Sequence, residues 1–170
     1  MRKIGRIRVY LILLLALLVN ATALDHFRIF GARPDLMIVC VTFFGLFLGR
    51  AAGLETGLVA GLLTDIFSLD YFGINLFVYG ATGFLAGALK TSFVKESKRT
   101  QALIVFLCTA FSMCLHFSLA SAFSRSIGFG FMEYLTTCVM PAGVFTSVIS
   151  VPIFMKLTEM YNLREEDDLL

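Results

Sequence analysis

Three long stretches without an acidic, lysine or arginine residue constrain this chain more than anything else in it: Tyr71 to Leu89, Ala102 to Ser124 and Tyr134 to Met155. Each has about nineteen residues or more, enough helix at about 1.5 Å per residue to cross a hydrocarbon layer of about 30 Å. The rest of the chain fits that setting. It is 58% hydrophobic and 15% charged, with a mean hydropathy of +0.87, which excludes an ordinary soluble domain. The net charge of +2, with no phosphate loop and no basic-aromatic array, gives no ground for nucleic acid as a partner. The lipid bilayer is the implied surrounding.

Three further segments complete the membrane reading. MRKIGRIRVY places Arg2, Lys3, Arg6 and Arg8 before the apolar run from Leu11 to Leu24, the pattern of a first span with a cytoplasmic start. The same stretch reads alternatively as a signal peptide cleaved after Ala21-Thr22-Ala23, although the apolar segments behind it favour retention. Arg33, Pro34 and Asp35 open a second segment to Leu48, with Pro34 expected at the first helical position and Asp35 beside the positive helix end. A third, Ala52 to Leu69, carries Glu55 and Asp65. The second and third are short enough to cross fully or to dip in as a re-entrant pair. The expectation is one all-α membrane domain over 1–170, a bundle of six transmembrane helices near 9–24, 35–49, 52–69, 72–89, 101–124 and 134–156. Counting Lys and Arg then places eleven on the side of the termini and three, Arg28, Arg33 and Arg125, on the other, so both termini are expected in the cytoplasm.

Within the third segment, Gly53, Gly57 and Gly61 recur every four residues and Asp65 continues the step. On a helix this leaves one side bare, open to close approach by another helix of this chain or by a partner's span. Gly45 and Gly49 keep the spacing backward, and Gly80, Gly83 and Gly87 form a similar small-residue surface on the fourth segment, so these two surfaces are candidates to pack together. Asp65 must face protein or water; Asn75, Tyr79 and the Arg33 loop are its candidate partners, and it reads either as a binding site or as a helix-end acid bonded into a turn.

No catalytic set is visible. Cys108, Cys114 and His116 point in different directions around one helix and do not converge on a metal, and Cys40 and Cys138 also lie in apolar runs. His116 is expected to be a hydrogen-bonded interior residue. The second histidine, His26, lies in an outer loop beside Asp25, so no serine has a general base at hand. The reading is of a protein that binds without turnover, with no cofactor. The basic loop 90–99 reads as a cytoplasmic partner or lipid contact or simply as an orientation signal, and the acidic tail Glu165 to Asp168 as a solvated end.

The order ARPDLMIVCVTFFGLFLG, then GLVAGLLTDIFSLDYFGINLFVYGATGFLAG, resembles the bacterial rod shape-determining protein MreD family, over Arg33 to Gly87. The carrying residues are Arg33-Pro34-Asp35, the Gly57, Gly61, Asp65 series and Gly73 eight residues after Asp65. This chain departs from the family pattern at Leu69-Asp70-Tyr71-Phe72, where a Gly- and Pro-containing turn is usual. The resemblance implies a non-enzymatic scaffold of the cell-elongation machinery in the bacterial inner membrane. It further implies binding to the single-span protein MreC and coupling of MreB filaments to peptidoglycan synthesis. It also implies a fold similar to the substrate-binding membrane subunits of energy-coupling-factor vitamin transporters. From this comes an alternative, a small-molecule transporter subunit in which Arg33, Asp35 and Asp65 line a pocket.

Overall fold

The structure, a computed structural model, describes residues 5–22, 34–68, 72–89, 98–123 and 130–161. Every element among them is helical: α1 (Arg6–Thr22), α2 (Leu36–Leu48), α3 (Arg50–Phe67), α4 (Ile74–Ala88), α5 (Lys98–Phe123) and α6 (Phe131–Tyr161). By length and composition α5 and α6 suffice to cross a membrane. α3 has 18 residues, about 27 Å, the same length as the segment expected over 52–69 and set two residues earlier.

α2 lies at the centre of the bundle. It has only 13 residues, but all ten from Met37 to Leu46 are buried, as expected of a helix that is apolar all round apart from Thr42. Phe43 packs on Phe154 of α6, and Phe44 faces the Tyr161 ring. Pro34 stands two positions before the first helical residue instead of at it, because Asp35 takes the N-cap and Leu36 is the first helical residue. Asp35 accepts the Met37 and Ile38 N–H groups at 2.9 and 3.4 Å, which leaves no place for proline inside the first turn.

A single residue separates α2 from α3. Gly49 has φ 95° and ψ −177°, a backbone conformation essentially reserved for glycine, so the chain reverses there. The four-residue glycine spacing is therefore continuous in sequence but divided between two helices. In α6 the backbone opens into a π turn over Leu135–Val139, with the Met140 N–H bonded to the Leu135 carbonyl. Pro141 follows directly, and a wider turn relieves the crowding that its ring and missing N–H bring to an α-helix.

The exterior is apolar. Leu54, Leu58, Leu62 and Ile66 of α3, Leu103 and Leu107 of α5, and Val144 and Val148 of α6 are all exposed. The described basic residues Arg6, Arg8, Arg50, Lys98, Arg99 and Lys156 gather at one end of the bundle, with α1 and α5 starting there and α6 approaching its finish. Arg6 meets Glu55 at 3.7 Å and the Tyr10 hydroxyl donates to Glu55 at 2.8 Å, so the Glu55 carboxylate is held by α1 instead of facing apolar surroundings alone.

Candidate functional site: a glycine seam and a polar cavity

The glycines of α3 meet α4. A Cβ added to Gly53 would collide with the Gly83 backbone, one on Gly57 with Tyr79 and Gly80, and one on Gly61 with Asn75 and Leu76. The reverse also holds, since a Cβ on Gly83 would overlap the Gly53 carbonyl. The two antiparallel backbones thus touch along their length, and Gly45 and Gly87 extend the contact across the α2–α3 turn. The bare side that sequence leaves open to a partner's span is filled by α4 of the same chain, and an outside helix has no room there.

Asp65 closes the far end of this seam. Its carboxylate is 3% exposed and accepts four bonds from one short segment. Gly73 and Leu76 N–H donate to Oδ2 at 3.0 and 2.9 Å, and the Asn75 N–H and Nδ2 donate to Oδ1 at 3.2 and 3.0 Å. The three backbone donors are unsatisfied amides at the start of α4, which its own N-cap, Gly73, has no side chain to satisfy. Gly73 has φ 100°, a left-handed conformation that turns these amides toward Asp65. Of the candidate partners, Asn75 reaches Asp65, Tyr79 bonds Asp35 instead, and Arg33 lies outside the described residues. The turn residues Leu69, Asp70 and Tyr71, the loop 90–97, His26 and the acidic tail also lie outside them.

Asp35 joins more distant parts. Besides its own helix start, it accepts Asn20 Nδ2 at 3.0 Å from α1 and the Tyr79 hydroxyl at 2.6 Å from α4. Its backbone N–H donates to the Thr146 hydroxyl of α6 at 3.2 Å, and the Leu36 N–H donates to Asn20 Oδ1 at 3.1 Å. Sequence reasoning missed Asn20 and Thr146. Neither forms a motif with Asp35, being 15 and 111 residues away from it.

Beside this hub, at the end of the bundle opposite the basic residues, lies a cavity of about 420 Å³. Asn20, Asp35, Asn75, Tyr79, Ser112, His116 and Tyr134 bring polar groups to its wall, and Leu17, Ile38, Val78 and Met113 bring apolar ones. His116 differs from expectation, for it is half-buried on the cavity wall and has no hydrogen-bond partner among the described residues. Cys108 is buried and Cys114 half-buried. No group of three metal-ligating side chains occurs among the described residues.

Against known families, the model of the rod shape-determining protein MreD matches residues 1–161. The chain belongs to the MreD family. The match takes in all six helices, the glycine seam, Asp65 and Asp35, and reaches beyond the segment on which the sequence resemblance rests. It places the chain in rod shape determination, among membrane-associated proteins. No curated protein and no solved structure matches the chain.

Proposed function

We propose that the chain is a non-enzymatic scaffold of the cell-elongation machinery in the bacterial inner membrane, with six crossings and both termini in the cytoplasm. In this reading it binds an MreC-like single-span protein and, with other elongation proteins, couples MreB filaments to peptidoglycan synthesis. The observation that carries it is the family match across all six helices. The gathering of described basic residues at one end of the bundle supports the orientation, since cytoplasmic ends collect Lys and Arg. Because α4 fills the glycine face, the partner span belongs on an outward apolar face.

The test is co-expression of the tagged chain with the single-span partner, followed by detergent co-purification. Cross-linking then uses single cysteines at Leu11, Leu58, Leu107 and Val148 in a background without the native cysteines. Co-purification together with cross-links from one of these faces is the expected result. Purification of the chain without the partner, and no cross-link from any face, would remove the scaffold reading. Gly57→Leu is a poor probe of partner binding, because it strikes the α4 backbone first. The cavity favours a second reading, in which the chain captures a small molecule as a transporter subunit does.

A further inference from the structure

The polar wall of the cavity has hydrogen-bonding capacity that the fold does not use. Thr64 and Thr109, which line it, turn their hydroxyls back to the Ala60 and Val105 carbonyls at 2.9 and 2.8 Å, the usual resort of a hydroxyl inside a helix. Ser112, one turn beyond Thr109, does not. It is 3% exposed, lines the cavity, and its hydroxyl has no partner among the described residues. That hydroxyl opens onto the cavity, where its bond is left for solvent or a ligand to supply.

Two further groups share this condition. Asn75 must direct its amide nitrogen at Asp65, because a carboxylate only accepts, and this leaves the amide oxygen without a partner among the described residues. Asp35 Oδ2 accepts one bond, from Tyr79, and retains acceptor capacity. The wall thus offers the acceptors of Asp35 and Asn75 beside the Ser112 and Tyr134 hydroxyls and the His116 ring, which can donate or accept, and it carries one carboxylate with no Lys or Arg among its described lining residues. An anion entering the site would meet the like charge of Asp35 with no Lys or Arg to offset it, whereas an N–H donor would find the Asp35 carboxylate and the Asn75 amide oxygen as acceptors. A volume of about 420 Å³ falls in the range of small-molecule sites, about 300–1,000 Å³.

We infer that the cavity binds a small neutral or cationic nitrogen compound that donates N–H bonds to Asp35, Asn75 and Ser112 and rests its apolar body on Ile38, Val78 and Met113. The inference rests on the ligand-capture reading and is independent of the scaffold. The same chemistry is available from a soluble amine or heterocycle and from the ammonium headgroup of phosphatidylethanolamine.

The test is thermal unfolding of the full-length chain in detergent with matched pairs: adenine against adenosine monophosphate, and tryptamine against indole-3-acetate. Native mass spectrometry of phosphatidylethanolamine against phosphatidylglycerol retention is the lipid arm. The expected result is a midpoint raised by the uncharged or cationic member only, or selective retention of the ethanolamine lipid. Either effect should be lost in Ser112→Leu, which fills the cavity with apolar volume. If that variant does not fold, Ser112→Ala removes the hydroxyl alone and should weaken the effect without lowering the ligand-free midpoint. A response to the anionic member alone overturns the assigned ligand chemistry and leaves ligand capture standing. No response in any arm overturns both. An effect undiminished in the Ser112 variants places the ligand elsewhere and overturns the site.

Discussion

Asp65 and Asp35 stand at the same end of the bundle and each side chain accepts four hydrogen bonds, but the donors come from different distances. All four of Asp65's donors belong to residues 73–76, a single turn at the start of α4. Asp35 draws on α1, α2 and α4, and its backbone reaches α6. The first carboxylate is a local clasp that holds one hairpin. The second is a junction where four helices meet, and the cavity lies beside it.

The severest way to break that contrast is to add bulk to the seam. Gly53→Leu drives side-chain atoms into the Gly83 backbone and should cost about 3 kcal/mol or more, seen as a collapse of the folded yield in detergent. Retention of a normal unfolding midpoint by Gly53→Leu would show that α3 and α4 are not in backbone contact.

Next in size is the clasp itself. Asp65→Ala strands buried amides at the start of α4 and should cost about 2–3 kcal/mol. Amide exchange sharpens the comparison: the faster exchange should be confined to the α3–α4 hairpin, whereas Asp35→Ala should also loosen α1 and α2. Identical exchange maps for the two variants would erase the distinction between clasp and junction.

Two smaller effects probe one end of each. Gly73→Ala forces a Cβ into a left-handed conformation and should cost about 1–2 kcal/mol although the space around it is open, so the melting point falls from backbone strain alone. Tyr79→Phe removes one bond to Asp35 and should cost about 1 kcal/mol by the same measurement. Smallest is Glu55→Gln, which weakens a partly exposed pairing with Arg6 and should shift stability by about 0.5 kcal/mol, less at high salt.

The distance between partners also governs what could be read in advance. The helices were legible because apolar runs and their polar interruptions are local properties of the chain, and the Gly53, Gly57, Gly61 spacing marked a close-packing face for the same reason. The helix start at Pro34 was misplaced by two residues, because the Asp at the next position takes the N-cap. His116 gave no sign of its place on a cavity wall, since that wall exists only when α5 stands against helices distant in sequence.

By itself, then, the sequence determined an apolar all-helical chain, the family signature, and the Asp65 to Gly73 interval that becomes the clasp. Those features depend on composition and on spacings of a few residues. Only the tertiary structure decided that α4 occupies the glycine face, that Asn20, Tyr79 and Thr146 converge on Asp35, and that Ser112 is left facing an open space. Each of these is a long-range choice of partner, and a hydrogen-bonding group or a bare helix face does not specify its partner until the packing of the other helices has removed the alternatives.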